Sequence, residues 1–240
     1  MSNDTSVKST PKKADNTEKL TKDEKIYQQI YTAIVDHQLA PDTKLPEDAL
    51  AESFNVSRTI IRKVLLDLSH EGLVTNAPKR GARVSRPSIK EGKEVFEARR
   101  IIEVATLPVV IHKINEVSLK LLKDLNNQQL AAQKAQDIKK AIRLSGEFHL
   151  ELILTSENDS LYDYLRKLIS RSSLIVAVFG STQQHLPSCQ GHSKLLELIS
   201  QNDVEQSQKW MNDHLIDIEA SLDFSEPNKT NPDFKKLFSD

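Results

Sequence analysis

The sequence predicts a mainly α-helical protein built in two parts. Three short helices and a two-stranded β-hairpin are expected first, followed by an all-helical bundle of six or seven helices. Only six glycines and nine prolines occur among 240 residues, which argues against a turn-rich all-β fold. Apolar residues recur at helical spacing along most of the chain, except in a short β-prone stretch at residues 73–84.

Composition limits the cellular setting more than the function. The chain has 33 basic and 34 acidic residues and a formal net charge of −1, so any nucleic-acid binding must depend on local charge. The single Cys189 cannot form an internal disulfide, which favours a reducing compartment. The longest apolar run, 174–179, is far shorter than the ~20 residues of a membrane span, and the N-terminus lacks the apolar core of a secretory signal. We therefore expect a cytoplasmic protein without membrane contact.

The first helix is expected to follow a polar tail at residues 1–22. Thr21 and Glu24 have the spacing of a capping box, and Ile26, Ile30 and Ile34 repeat at helical spacing. We expect this helix to end near Leu39, because the next two residues are Ala-Pro.

Two more helices and a hairpin complete the first domain, which we assign to residues 23–86. The second helix is expected to begin at Pro46 and end at Asn55. Ser57 is a suitable N-cap for a third helix at 58–70. Short β-prone segments at 73–75 and 82–84 then flank a basic turn, as in a hairpin.

Three helices and a hairpin in this order form the winged helix-turn-helix pattern, in which the third helix enters the major groove of DNA. Residues 57–86 carry seven basic side chains against two acids, the local charge that phosphate binding needs. The predicted DNA-contacting residues on the third helix and the wing are Arg58, Thr59, Arg62, Lys63, Lys79, Arg80, Gly81 and Arg83.

The rest of the chain is expected to be helical. We assign residues 87–92 to a linker, residues 93–224 to an all-helical domain and residues 225–240 to a loose tail. The helices are expected at about 93–114, 118–135, 138–155, 159–183, 189–200 and 203–222.

The first domain resembles the N-terminal domain of GntR-type bacterial transcription regulators. The matching segments are 39–41, 44–47, 50–51, 56–59, 71–74 and the wing at 79–84. This resemblance implies a homodimer that binds double-stranded, pseudo-palindromic operator DNA. Asp48 departs from the family, since many members have a basic, phosphate-contacting residue there. Lys63 stands in place of an acid and is a candidate to compensate.

The helical region resembles the FadR-type (FCD) ligand-binding domain of the same regulators. The segments 99–103 and 148–149, Asn158, and the pair His192 and His214 carry this resemblance. It implies a small organic acid effector, and in many members one divalent metal held by an Asp and three His. The matching histidines are His149, His192 and His214, which suit Zn²⁺ or Ni²⁺.

The position of the family's Asp is occupied by Ser145, whose neutral hydroxyl is a poor ligand. Two outcomes remain open: a weaker three-His metal site, or histidines that bind an anionic ligand directly. Arg99 is a candidate either for clamping an effector carboxylate or for a salt bridge to Glu103 at i+4. Asn158 and Arg171 are further candidates for the effector cavity.

The functional hypothesis is a transcription regulator, not an enzyme: a repressor whose operator binding is modulated by a small carboxylate metabolite in the helical bundle, either through a metal or directly. Relief of repression by the metabolite is what the family resemblance implies. One alternative is a ligand-independent DNA-binding protein that has lost its effector and metal site. The other is a three-His metallohydrolase, although no general base accompanies the histidines and no H-E-x-x-H helix is present.

Overall fold

The computed structural model describes residues 21–77, 81–180 and 191–224. Residues 1–20 of the tail predicted at 1–22, the tail predicted at 225–240, and the wing residues Lys79 and Arg80 lie outside these ranges; Lys22 is already part of the first helix. Within them the first part of the chain comprises α1 (Lys22–Val35), α2 (Glu47–Phe54), α3 (Arg58–His70), β1 (Val74–Ala77) and β2 (Gly81–Val84).

Helix α1 begins at the predicted capping box, because Thr21 accepts from the Glu24 amide while the Glu24 carboxylate accepts from the Thr21 amide. The helix is shorter than expected. It ends at Val35, and His37 follows in the left-handed region with φ 55°. The prediction that it would reach Leu39 was wrong, since the chain turns before Pro41 can end the helix.

The turn between α2 and α3 depends on two local features. Asn55 has φ 50°, a left-handed conformation that asparagine tolerates, and it ends α2. Ser57 then caps α3 by accepting from the Ile60 amide. The two strands pair antiparallel, with Val74 opposite Val84 and Ala77 opposite Gly81. This arrangement confirms a winged helix-turn-helix.

The core of the winged part is apolar and includes a side chain from outside it. Ile30, Ile61 and Leu65 are buried together with Leu73. Leu174, which is fully buried, enters this cluster from helix α7 (Asp159–Phe179). The winged part is therefore packed against the helical part.

The remaining described helices form the predicted bundle. They are α4 (Ile89–Lys113), α5 (Glu116–Lys134), α6 (Ile138–Leu154), α7, α8 (Ser193–Ser200) and α9 (Val204–Ala220). Helix α4 packs against α6, α7 and α9, and a buried cluster around Leu107, Phe148 and Leu215 joins several of these helices. Among the described residues, none of the helices has the length and apolar character that crossing a bilayer requires.

The linker predicted at 87–92 is mostly helix. Helix α4 begins at Ile89, because the Ser88 hydroxyl accepts from the Glu91 amide at 3.2 Å. Gly92 does not interrupt the helix; a Cβ there would lie 3.1 Å from the Phe224 ring, so glycine permits this close packing.

Candidate ligand cavity and DNA-binding surface

A cavity of about 1080 Å³ lies between the helical bundle and α1 of the winged part. Tyr31 and Thr32 of α1 line one side of it. The bundle contributes two arginines, two histidines and several hydroxyl and amide side chains, including Arg99, Arg143, Gln129, Gln133, Ser145, His149, Ser172 and His214. Both parts of the chain therefore contribute to this cavity.

Three histidines from different parts of the sequence converge beside the cavity. His149 is on α6, His192 directly precedes α8 and His214 is on α9. Their ligand nitrogens all lie within 4.8 Å of one another, and the Nε2 atoms of His149 and His192 are 3.2 Å apart. Phe148 stacks on His192 with ring centroids 3.9 Å apart, which holds the imidazole in place.

Hydrogen bonds on the outer side orient two of these rings. His149 Nδ1 donates to Glu103 Oε2 at 2.5 Å, and His192 Nδ1 donates to Gln129 Oε1 at 3.0 Å. In a neutral imidazole whose Nδ1 donates, the lone pair is on Nε2, and the Nε2 atoms of these two rings are the ones that face each other. Metal-binding histidines in proteins are commonly oriented in this way.

His214 completes the set with an unpaired nitrogen. Its Nε2 is buried and has no hydrogen-bond partner among the described residues. The ring stacks on Trp210 with centroids 4.7 Å apart. A buried ring nitrogen without a partner is costly unless something else binds it.

The surroundings of His192 and His214 favour their neutral imidazoles. Burial lowers the pKa of His192 well below its usual value, and the neighbouring His149 and His214 lower it further. Burial also lowers the pKa of His214 to about 3. Burial opposes ionisation of Glu103, but its interactions with Arg99 and with the His149 ring outweigh burial and hold the pKa of Glu103 at about 2.

This arrangement fits a divalent metal ion. Two histidine ligands at 2.0–2.1 Å from a tetrahedral Zn²⁺ lie about 3.3 Å apart, close to the 3.2 Å between His149 and His192. The unpaired His214 nitrogen supplies a third donor. Ser145 lies one turn before His149 on α6 and lines the cavity, but its hydroxyl adds no charge.

Arg99 forms the salt bridge to Glu103 that the sequence offered as one alternative, and its role in binding an effector carboxylate stays a prediction. Its Nε donates to Glu103 Oε1 at 2.7 Å, and its Nη1 donates to Ser172 Oγ at 3.1 Å. The residue also lines the cavity. The ion pair therefore holds the guanidinium at the cavity wall.

Asn158 and Arg171 do not line the cavity, so their prediction as effector-binding residues is not supported. Asn158 is the N-cap of α7 and accepts from the Leu161 amide at 3.1 Å. Arg171 pairs with Glu91 on α4 at 2.5 Å. Both side chains serve helix geometry and packing.

Sequence reasoning missed the outer hydrogen-bond partners and the α1 side of the cavity. Glu103 was expected only as a partner of Arg99, because its contact with His149 spans 46 residues. Nothing in the sequence pointed to Gln129, since a glutamine in a helix is usually exposed to solvent. The sequence also gave no indication that Tyr31 lines the cavity. Its hydroxyl lies 2.8 Å from Ser170 Oγ on α7.

The predicted DNA-contacting residues that the structure describes are exposed or half-buried. On α3 the cations pair with acids of the same domain: Arg58 with Asp48, Arg62 with Glu47 at 2.7 Å, and Lys63 with Asp23 at 2.5 Å. Thr59 is exposed in the first turn of α3.

The wing adds two further predicted residues. Gly81 has φ 73°, the left-handed region that favours glycine. Arg83 Nη1 donates to the Asp42 carbonyl at 3.1 Å. The described members of the predicted DNA-contacting set are therefore Arg58, Thr59, Arg62 and Lys63 on α3 and Gly81 and Arg83 on β2, and their contact with DNA stays a prediction.

The fold and these two sites define a class of protein: a winged-helix DNA-binding domain joined to a helical domain with an internal cavity. Comparison with known proteins then gives the family. Residues 22–84 match the bacterial regulatory proteins of the gntR family, and residues 94–217 match the FCD domain. The chain belongs to the FCD-containing branch of the GntR family and is a transcriptional regulator, not an enzyme.

Individual relatives agree with this assignment. The chain is 26% identical over 200 residues to an HTH-type transcriptional regulator in an unstable DNA locus of Streptomyces ambofaciens, covering 79% of this chain and 80% of that protein. It is 24% identical to the HTH-type transcriptional repressor RspR of Escherichia coli (strain K12), covering 83% and 88% of the two chains.

A solved structure shares the fold. A transcriptional regulator GntR from Rhodococcus sp. RHA1 superposes with a TM-score of 0.74 at 18% identity, covering 84% of this chain and 97% of that one. At this level of identity the likeness establishes the architecture alone.

Proposed function

We propose that this regulator binds a pseudo-palindromic operator as a homodimer, and that a small carboxylate metabolite in the cavity modulates this binding. A divalent metal, Zn²⁺ or Ni²⁺, would be held by the three histidines. The observation that carries the proposal is that Arg99, His149 and His214 line the same cavity as Tyr31 of the DNA-binding domain.

The cavity has the chemistry to hold an anion. Arg99 supplies a guanidinium, which binds carboxylates through paired N–H donors. The metal, when bound, would act as a Lewis acid that attracts the same carboxylate. Ser172 fixes the position of Arg99, and neighbouring hydroxyl and amide groups supply further hydrogen bonds.

The route from ligand to DNA passes through α1 and α7. Tyr31 of α1 is hydrogen-bonded to Ser170 of α7, and Ser172 of α7 is hydrogen-bonded to Arg99. A ligand in the cavity therefore contacts elements that hold the winged domain in place. It can change operator affinity only by binding two domain arrangements unequally.

Dimer formation would bury an exposed apolar strip on α4. Ile101 is 65% exposed and Val109 is 44% exposed, and both lie on the outer face of this helix. A second copy covering the strip would give the two-fold symmetry that a palindromic operator requires. We also propose a cytoplasmic location and, because RspR is named a transcriptional repressor, action as a repressor. We further propose that the ligand relieves this repression.

The test is selection of duplexes from a random-sequence DNA library by the full-length protein. The recovered duplex is then titrated with a panel of organic acids, for the wild type and for His149→Ala. We expect an enriched inverted repeat, dimers by light scattering, and a carboxylate response that His149→Ala weakens.

Two results would contradict parts of the proposal. An enriched operator whose affinity no panel member changes would favour the ligand-independent alternative. Recovery of no enriched sequence would contradict operator recognition itself.

A further inference from the structure

We infer that metal binding in this chain depends on a carboxylate supplied from outside, which occupies the anionic position that Ser145 leaves unfilled. This inference rests on the proposed function and names how metal and ligand act together at the same site.

The described part of the cavity lining offers no uncompensated carboxylate to a metal ion. Among the described lining residues Glu147 is the single acid, and its Oε1 accepts from Arg143 Nη1 at 2.6 Å. The carboxylate of Glu103 lies behind His149 and is already paired with Arg99. Both carboxylates are therefore compensated by nearby arginines.

The charge of a divalent ion would not be balanced by its histidine ligands. Three neutral imidazoles leave the two positive charges of a divalent ion uncompensated. His149 and His192 are almost completely buried, and an uncompensated charge at such a place is expensive. Binding of the ion should therefore be weak until an anion joins it.

A carboxylate in the cavity has access to the histidines beside Ser145. Ser145 is four residues before His149 on α6, a spacing that puts both on the same face of the helix. Ser145, His149 and His214 all line the cavity. A small carboxylate that enters the cavity can therefore reach the side of the histidines where α6 offers the hydroxyl of Ser145.

The experiment titrates Co²⁺ into the metal-free full-length protein, with saturating sodium acetate or with sodium chloride at equal ionic strength. Visible absorption of Co²⁺ reports its coordination number, so the readout is independent of DNA binding. Second-sphere partners alone change metal affinity by about 10–100-fold. We therefore expect acetate to raise the Co²⁺ affinity of the wild type at least about tenfold and to change the spectrum.

Ser145→Asp is the informative variant. It should bind Co²⁺ at least about tenfold more tightly than the wild type without acetate, and acetate should add little. Ser145→Asn is the matched control, because it has the same size as Asp without the charge, and it should behave like the wild type. His149→Ala should abolish the spectrum, and circular dichroism checks that each variant is folded.

Three results would overturn the inference. The wild type could bind Co²⁺ equally well with and without acetate, or Ser145→Asp could match Ser145→Asn. The third is that Ser145→Asp binds Co²⁺ while the wild type binds none even with acetate. Each leaves operator selection unaffected, so failure of this inference is distinguishable from failure of the proposed function.

Discussion

The pairing of Arg58 with Asp48 leads to a prediction about DNA affinity. Arg58 lies in the first turn of α3, where side chains reach base edges, and its guanidinium contacts the Asp48 carboxylate in the free protein. DNA must compete with Asp48 for the same guanidinium. We expect Arg58→Ala to weaken operator binding and Asp48→Asn to strengthen binding to any duplex.

The magnitudes follow from the exposure of the pair. A bidentate arginine–base contact contributes about 1–3 kcal/mol of discrimination, so Arg58→Ala should reduce the preference for operator over random duplex by about 5–150-fold. The side chains of Arg58 and Asp48 are 61% and 70% exposed. Breaking such an exposed pair costs about 0–1 kcal/mol, so Asp48→Asn should raise random-duplex affinity by up to about fivefold.

The assay is fluorescence anisotropy with the selected operator and a scrambled duplex of equal length, at several salt concentrations. If Asp48→Asn gains one phosphate contact, the slope of log affinity against log salt should steepen by about 0.9. Glu52→Gln is the control, because it removes one exposed negative charge from the same helix, α2. Equal loss of operator and scrambled binding in Arg58→Ala, or equal slopes for the two α2 variants, would refute the reasoning.

Three further predictions concern stability and the metal site. Leu174→Ala removes a fully buried side chain from the winged core and should lower the free energy of unfolding in urea by about 2–5 kcal/mol. Leu154 is 45% exposed, so Leu154→Ala should cost much less, and similar losses for the two variants would contradict the packing between the two parts. Burial lowers the pKa of His37, so the unfolded state binds a proton on this ring more readily than the folded state, and wild-type stability should fall as pH decreases through the unfolded pKa of about 6.5. Asparagine tolerates the positive φ of this position, so the stability of His37→Asn should fall less over the same pH range in parallel urea titrations. Gln129→Leu removes the acceptor that orients His192 and should weaken Co²⁺ binding in acetate by about 10–100-fold; unchanged affinity would show that the hydrogen bond does not set the site.

Local signals were sufficient to predict most helices. The capping box at Thr21 and the N-cap at Ser57 are short-range patterns, and both begin helices as expected. The prediction of a linker at 87–92 failed at a place where the chain makes a tertiary contact. Helix α4 begins inside the predicted linker, and the Phe224 ring packs where a side chain at position 92 would lie; that contact leaves no trace in periodicity.

The site was predictable in its ligands and not in its surroundings. The three histidines could be found because a family resemblance fixes their positions, and the structure brings them together. The orienting contacts of Glu103 and Gln129 with His149 and His192 join helices far apart in sequence. No local rule indicates which polar residue of a helix faces such a partner. The place of Tyr31 at the cavity likewise depends on how two domains pack.

The central claim, that the cavity controls DNA binding, is tested most directly by one titration. Operator affinity of the wild type is measured with Co²⁺ and acetate together, with each alone and with neither, beside His149→Ala. The account predicts that the two together change wild-type affinity more than either alone, and that this combined effect is much smaller in His149→Ala. An identical response in the wild type and His149→Ala would contradict it.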